Sequence, residues 1–265
     1  MSSLKQAFRF LTVIRIPSRQ TADSGLAGAV AWFPLVGAAM GGVFVGIDRL
    51  AFAAFPTATA AFVAAALVLT SYALLTGGLH HDGLADSADA LWGLRAGGRQ
   101  RRLEVMKDSN TGALGVTALV LLLLTELAAL TALGSQATAG LRRASLVAVP
   151  VLGRWCMSYL CVRFRYARDE GTGRLMAGGA RPVHLAVAGG VAAAALAGCF
   201  AGIVRLPWMM PILAAVTLAW SELWGRACSR ALGGVTGDVI GAGGMLLEAF
   251  LLLLLASSLP QLVGG

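Results

Sequence analysis

The sequence predicts an all-α fold, a polytopic bundle of transmembrane helices. Of its 265 residues, 57% are apolar and only 13% are charged, whereas an average soluble domain is about a quarter charged. Apolar runs of about 20 residues, the length needed to cross a bilayer, recur along most of the chain. We therefore expect residues 1–265 to form one integral membrane domain, with the lipid bilayer as its main partner.

The first element is a predicted helix that lies on the membrane surface. Its apolar side chains recur at helical spacing, and they are Leu4, Ala7, Phe8, Leu11 and Ile14. Lys5, Arg9 and Arg15 fall on the opposite side. An apolar face beside a basic face is typical of an amphipathic interfacial helix.

About seven membrane spans follow this helix. We predict them at residues 25–47, 58–75, 113–133, 145–162, 183–204, 208–228 and 241–259. Runs rich in Gly and Ala, such as 37–46 and 186–198, are typical of close helix contacts in lipid.

The basic residues predict the orientation of these spans. Sixteen Lys and Arg residues fall at the N-terminus and in the second, fourth and sixth loops, against four in the other loops. The positive-inside rule places that richer side in the cytoplasm, with the C-terminus outside the cell (inner) membrane. The net charge of +8 is then a topology signal, and no nucleic-acid partner is expected. The sequence is compatible with a homo-oligomer as well as a monomer.

Polar groups and thiols inside the spans are expected to serve packing. The four cysteines, which form no CxxC pair, are Cys156, Cys161, Cys199 and Cys228. We expect them to be reduced packing residues, without disulfides or zinc. The acidic residues within spans, Glu126, Glu222 and Glu248, are expected to pair with polar partners between helices.

The segment 77–89 carries the strongest chemical pattern, Gly-Gly-Leu-His-His-Asp-Gly-Leu-Ala-Asp-Ser-Ala-Asp. In a helix, Asp82, Asp86 and Asp89 stand at i, i+4 and i+7 and so share one face. A hard divalent cation would relieve their repulsion, and Mg²⁺ prefers oxygen ligands. We predict that these three carboxylates bind Mg²⁺ and form the catalytic centre, in which His80 or Asp89 is a candidate base. Such a centre suits phosphoryl chemistry.

Two further features could complete this site. Residues 232–238 form a second glycine-rich segment that ends in Asp238 and lies in a loop on the same predicted membrane face. Arg154 lies inside a span, where a charge is costly and needs a partner or a ligand.

The sequence resembles the cobalamin synthase family, the adenosylcobinamide-GDP ribazoletransferases. The segments that carry the resemblance occur in the family's order, and they are 33–37, 77–89, 103–109, 152–154, 166–171 and 232–241. His81 departs from the pattern, because the family usually has an apolar residue there.

The resemblance implies transfer of the adenosylcobinamide phosphate group from adenosylcobinamide-GDP to α-ribazole or its 5′-phosphate, with release of GMP. It implies Mg²⁺ at Asp82, Asp86 and Asp89. The predicted contacts to phosphate or nucleotide are Lys107, Asp108, Arg154, Arg168, Arg174, Gly234, Thr236 and Asp238. The alternatives are a CDP-alcohol-type phosphotransferase, which would use the same metal chemistry, and a membrane transporter. A transport site would be expected near the bilayer midplane rather than at the membrane edge.

Overall fold

The computed structural model describes residues 2–17, 26–93, 97–108, 110–134, 139–168 and 178–257, and this part of the chain is helical with no strand. The helices are α1 (Ser2–Leu11), α2 (Leu26–Ala29), a 3₁₀ turn (Val30–Trp32), α3 (Phe33–Ala54), α4 (Thr57–Thr76), α5 (Leu79–Trp92), α6 (Arg99–Val105), α7 (Ala113–Ala132), α8 (Ala139–Arg163), α9 (Pro182–Leu196), a π-helix (Ala197–Ile203), α10 (Met209–Leu232) and α11 (Gly237–Ser257). The predicted all-α class is confirmed.

Six stretches in the described residues are long and apolar enough to cross a membrane. They are Leu26–Ala54, Ala58–Thr76, Ala113–Ala132, Ala139–Arg163, Pro182–Ile203 and Gly237–Ser257. Each coincides with one of the seven predicted spans, which confirms the polytopic architecture.

The remaining predicted span, 208–228, is the helix α10. It has 24 residues, but Glu222, Arg226 and Arg230 make its second half more polar than the other six. Trp220 and Trp224 each donate an indole N–H to α11, to the carbonyls of Gly243 and Val239 at 2.9 and 2.7 Å. Later residues of α10 thus meet earlier residues of α11, so the two helices are antiparallel. α10 therefore returns the chain to the face at which α11 begins.

The helix α8 forms the centre of the bundle. It is largely buried and packs against α3, α9, α10 and α11. Near its start, Arg142 donates to Asp48 of α3 at 2.7 Å, with both side chains almost fully buried. The four cysteines are buried and free, as predicted.

The N-terminal helix is present, but its apolar face packs on the bundle. Ala7 and Leu11 are buried in the common core, and the Phe10 ring stacks on Phe33 at the start of α3. Ile14 lies beyond the end of α1 and is half exposed. The predicted amphipathic helix therefore anchors the chain to the bundle as well as carrying its basic face.

Candidate active site

The acidic helix α5 begins after a tight glycine turn at the end of α4. Gly77 and Gly78 both have positive φ, 61° and 73°, a conformation that favours glycine. This turn redirects the chain, so that α5 continues at an angle as a separate helix of 14 residues. Asp82, Asp86 and Asp89 lie along it at the predicted helical spacing.

The two glycine-rich segments meet where α5 crosses the start of α11. A Cβ on Gly83 would lie 2.9 Å from the carbonyl oxygen of Asp238 and 3.0 Å from its Cα. Only a residue without a side chain permits this approach without a shift of the backbone. The contact brings Asp238 to the acidic face of α5, although the two segments lie about 150 residues apart in sequence.

Three carboxylates crowd together at this crossing. The pKa of Asp86 is raised to about 7, first by burial and then by the neighbouring negative charges of Asp82 and Asp238. The positive charge of Arg168 opposes this shift. Because three acids face one nearby arginine, the site carries an excess of negative charge.

Arg168 links this cluster to two other segments. Its guanidinium lies 2.9 Å from the Asp238 carboxylate, and the same group donates to the Met106 carbonyl at 3.4 Å. The preceding residues are fixed by a backbone bridge, in which Ala167 N donates to Val235 O and Val235 N donates to Arg165 O, each at 2.8 Å. Arg168 and Asp238, both predicted site residues, therefore form one unit.

Gly234 and Thr236 support this arrangement from within the protein. A Cβ on Gly234 would lie 2.3 Å from the Arg165 carbonyl oxygen, so glycine is needed for the backbone bridge. Thr236 is fully buried, and its hydroxyl accepts the Val239 N–H at the start of α11 and donates to Asp238. Gly234 and Thr236 thus support the backbone and the Asp238 side chain of the site. Direct contact of either residue with substrate stays a prediction.

Asp89 has partners of its own at the start of α7. One carboxylate oxygen accepts the Gly112 N–H at 2.6 Å and the other accepts the Gly115 N–H at 2.9 Å. Unpaired amide groups at a helix N-terminus attract an anion. Asp89 therefore joins α5 to α7 through both oxygens and differs in this respect from Asp82 and Asp86.

The two histidines lie at the start of α5, on its inner side. His80 is 4% exposed and packs against Gly241 of α11. Burial, and then the positive charge of Arg154, lower the pKa of both His80 and His81. Both rings are therefore neutral at neutral pH. The edge of the His81 ring meets the face of Tyr72 with centroids 5.6 Å apart.

Arg154 has its partner inside the bundle. The guanidinium is fully buried, forms an ion pair with Glu248 of α11 and lies 4.9 Å from the centre of the Tyr72 ring. This explains how a charge is tolerated within a span, and it confirms the expected pairing of Glu248. Contact of Arg154 with substrate stays a prediction, and in the structure the Arg154 charge is paired with the Glu248 carboxylate.

Other predicted contacts lie at the edge of the site or beyond it. Lys107 and Asp108 are exposed after α6, and Asp108 accepts hydrogen bonds from the backbone and side-chain amides of Asn110. Arg174 lies outside the described residues.

Arg99 is a site-supporting residue that sequence reasoning treated only as a topology charge. Its Nε donates to the Leu232 carbonyl at 2.8 Å and its Nη2 donates to the Ala167 carbonyl at 3.3 Å. It thus joins the end of α10 to the segment that carries Arg168. The available signal was its place in a basic loop, which does not distinguish it from Arg101 or Arg102.

The donor set is compatible with Mg²⁺. Asp82, Asp86 and Asp238 offer only oxygen ligands. A divalent cation would offset the repulsion between these carboxylates, which after burial is the next cause that raises the Asp86 pKa to about 7. Within the described ranges, no three acidic, histidine or cysteine side chains already surround a common point. Mg²⁺ commonly takes one or two carboxylates and completes its shell with water and substrate phosphates, so Asp82 and Asp86 could hold it with Asp238 nearby. Both oxygens of Asp89, the third predicted ligand, accept backbone N–H groups, and metal binding by Asp89 stays a prediction.

Comparisons with known proteins point to one family. The chain matches the family described as cobalamin-5-phosphate synthase over residues 3–256. A protein of Pseudomonas syringae pv. syringae named adenosylcobinamide-GDP ribazoletransferase is 40% identical over 249 residues, which cover 92% of this chain and 93% of that protein. Proteins of the same name from Geotalea daltonii and Roseiflexus sp. are 37% and 34% identical, covering 95% and 97% of this chain and 95% and 90% of their own lengths. No solved structure matches the chain.

Proposed function

The chain belongs to the cobalamin-5-phosphate synthase family, and from that premise we propose that it is an adenosylcobinamide-GDP ribazoletransferase. It transfers the adenosylcobinamide phosphate group to α-ribazole or to α-ribazole 5′-phosphate. The products are adenosylcobalamin or its 5′-phosphate, together with GMP.

The observation that carries this proposal is the convergence of Asp82, Asp86, Asp238 and Arg168 at one end of the bundle. These residues come from three segments far apart in sequence. A diphosphate donor and a ribose acceptor are too large for one helix face, so a site assembled from several segments suits them. Its location at helix ends, rather than deep in the bundle, favours an enzyme over a transporter.

The reaction requires one bond to form and one to break. A ribose hydroxyl of the acceptor forms a P–O bond with the cobinamide-linked phosphorus, and the bridging P–O bond of the diphosphate breaks with its electron pair on GMP. The hydroxyl proton leaves to a base, for which His80 and Asp89 are the predicted candidates. Asp89 is the weaker of the two, since both its oxygens accept backbone N–H groups.

Mg²⁺ is part of the proposal. Asp82 and Asp86 would hold it, with Asp238 close by, and the ion would supply positive charge that stabilises the negative charge developing on the phosphate groups. The Asp238 carboxylate and the Met106 carbonyl hold the Arg168 guanidinium in the same region. A guanidinium there can donate to phosphate oxygens that the metal leaves uncovered.

We propose that the protein is a multi-pass protein of the cell (inner) membrane, with its N-terminus and this site in the cytoplasm. The support is the excess of basic residues at the helix ends that border the site. Arg99, Lys107, Arg165 and Arg168 all lie on that face.

The direct test is turnover by the purified protein in lipid nanodiscs. With adenosylcobinamide-GDP, α-ribazole and Mg²⁺, we expect equal amounts of adenosylcobalamin and GMP, no product with chelator, and recovery when Mg²⁺ is added back. Asp82→Asn should abolish turnover, whereas Glu104→Gln, which removes an exposed carboxylate paired with Arg101 on α6, should not. The proposal fails if the unmodified protein forms no product, or if sealed vesicles accumulate a substrate without converting it.

A further inference from the structure

A small, partly open cavity lies between α3, α4, α7, α8 and α11, apart from the carboxylates at the helix ends. Its volume is about 30 Å³, and its polar lining comes from Tyr72 of α4, Glu126 of α7, Ser145 of α8 and Glu248 of α11. The rest of the lining is apolar, from residues such as Phe44 and Leu252. A cavity of roughly 10–15 Å³ or more with two to four polar partners can hold a water molecule, and this one meets both conditions.

The charges around the cavity do not balance. Arg154 is fully buried and forms its ion pair with Glu248, which is 3% exposed. Glu126 is 5% exposed, and within the described residues it makes no hydrogen bond or ion pair, although the charges of Glu248 and Arg154 both act on it. Two carboxyl groups thus share one cation inside a membrane-spanning bundle. An unpaired carboxylate there is very costly.

A second buried ion pair among the described residues provides a contrast. Arg142 and Asp48 stand one to one, 2.7 Å apart, and both are almost fully buried. That pair needs no further charge, whereas the group around Arg154 has one carboxyl group too many.

One buried polar atom that lines the cavity lacks a well-formed hydrogen bond. The Tyr72 hydroxyl lies beside Arg154 and Glu248, but none of the described residues meets it in good hydrogen-bond geometry, and the same holds for the nearby Arg154 Nε. The hydroxyl nevertheless interacts electrostatically with Arg154, Glu248 and Glu126. Polar groups that face each other beyond hydrogen-bond distance are commonly joined by a water molecule.

We propose that this cavity binds one water molecule and one proton, with Glu126 held as a neutral carboxylic acid. The water accepts a hydrogen bond from the Glu126 carboxyl group or the Tyr72 hydroxyl and donates to the Glu248 carboxylate. The proton removes the surplus charge, so that Glu248 and Arg154 are left as a balanced pair.

The remaining groups around Glu126 are consistent with this assignment. Ser145 donates its hydroxyl to the Leu141 carbonyl at 2.8 Å and can only accept from the water. His80 and His81 on α5 lie near Arg154 and contribute no negative charge. Gly153 gives the Glu248 carboxylate its room, because a Cβ there would overlap the oxygen Oε1.

The proposal is tested by infrared spectroscopy of the whole protein in nanodiscs at neutral pH. We expect the carbonyl stretch of a buried protonated carboxyl group, shifted in D₂O. Glu126→Gln should abolish this band, and Tyr72→Phe should move it, since the hydroxyl binds the same water. The exposed Glu104→Gln is the control and should leave the band unchanged.

Absence of the band from the unmodified protein, or its persistence in Glu126→Gln, would overturn the assignment of the proton. An unmoved band in Tyr72→Phe would overturn the water bridge.

Thermal unfolding gives a second measurement. Glu126→Gln replaces a neutral acid by a neutral amide and should shift the Tm by no more than about 2 °C. Glu248→Gln and Asp48→Asn each leave a buried arginine unpaired and should lower the Tm by roughly 6 °C or more. Equal losses in Glu126→Gln and Glu248→Gln would contradict a neutral Glu126. Stabilisation by Na⁺ but not K⁺, lost in Glu126→Gln, would show that the cavity holds a metal cation instead of a proton.

Discussion

Asp238 connects the charges of the proposed site, since it faces Asp82 and Asp86 on one side and Arg168 on the other. Asp238→Asn keeps the shape of the side chain but removes the charge that orients Arg168. We expect kcat/KM for ribazole transfer to fall roughly ten- to hundredfold, the range for a lost hydrogen bond between charged groups. Steady-state kinetics at several Mg²⁺ concentrations measures this loss.

The matched variant for Asp238→Asn is Glu104→Gln, which removes a carboxylate on the exposed side of α6 that pairs with Arg101. It should retain normal kinetics. If Asp238→Asn also had normal kinetics and normal Mg²⁺ dependence, the second glycine-rich segment would be no more than a turn between α10 and α11.

Arg99 is expected to position the site without touching substrate. Arg99→Ala removes its hydrogen bonds to the Leu232 and Ala167 carbonyls, so the segment that carries Arg168 is less well fixed. We predict a rise in KM for adenosylcobinamide-GDP of about tenfold, with kcat less affected, because each lost hydrogen bond is worth about 1.5–3 kcal/mol at most. Arg101→Ala is the control, since in the described part of the chain Arg101 forms its ion pair with Glu104 on the exposed side of α6. A fall in kcat alone would contradict a positioning role.

The fate of Arg154 shows what residue-level reasoning can and cannot predict. A charge inside a span must have a partner or a ligand, and the sequence predicted that much. It could not choose between the two, because the partner, Glu248, lies 94 residues further along and meets Arg154 only through the packing of α8 on α11. The same limit applies to Arg99, whose contacts are backbone carbonyls with no side-chain pattern.

Among the elements, α5 was predicted with its acidic spacing intact, because helical periodicity is a local property. The direction in which each carboxylate points was not predictable from that spacing. Asp89 turns to the amides of Gly112 and Gly115 because α7 happens to begin beside it. Six of the seven predicted spans follow from apolar length alone, but the antiparallel packing of α10 on α11 depends on tertiary contacts.

The contact between α7 and Asp89 predicts a stability effect. Asn at position 89 can accept only one of the two backbone N–H groups, and it lacks the charge that favours a helix N-terminus. Asp89→Asn should therefore destabilise the protein by about 1–2 kcal/mol, whereas Asp82→Asn should leave stability unchanged and remove activity. Thermal unfolding of the two variants, measured beside their turnover, separates the two roles. An unaltered Tm for Asp89→Asn would contradict the capping role.

The crossing of α5 and α11 depends on Gly83. Gly83→Ala places a methyl group 2.9 Å from the Asp238 carbonyl oxygen, so the two helices must separate and the carboxylates move apart. We expect at least a tenfold loss of kcat/KM with unchanged helix content by circular dichroism, because displacements of this size at a site cost about a hundredfold. Gly46→Ala is the matched control, since a Cβ at Gly46 meets nothing within 4 Å. Equal activity of the two variants would show that the crossing does not need its present distance.

At the scale of the whole molecule, charged groups are sorted by position. The bundle interior holds its arginines against buried acids, as in the pair of Arg142 and Asp48. The helix ends that border the proposed site carry several arginines and the surplus carboxylates Asp82, Asp86 and Asp238, which water, metal and substrate can neutralise. This division places the chemistry at one membrane face and leaves the lipid-embedded part nearly neutral.

The same division predicts the topology of the protein. Sixteen Lys and Arg residues fall on the side of the N-terminus and the proposed site, against four on the opposite side. The side with the N-terminus and the proposed site should therefore be cytoplasmic.

The four native cysteines are buried and should react little with a membrane-impermeant thiol reagent. Single cysteines can therefore be introduced at Gln100 in α6 and at Thr59 at the start of α4, both exposed and at opposite ends of the bundle. We expect Thr59→Cys to be labelled in intact cells and Gln100→Cys only after the membrane is opened. The reverse pattern would place the carboxylate site outside the cytoplasm, away from nucleotide substrates, and labelling of both in intact cells would contradict the proposed crossing between them.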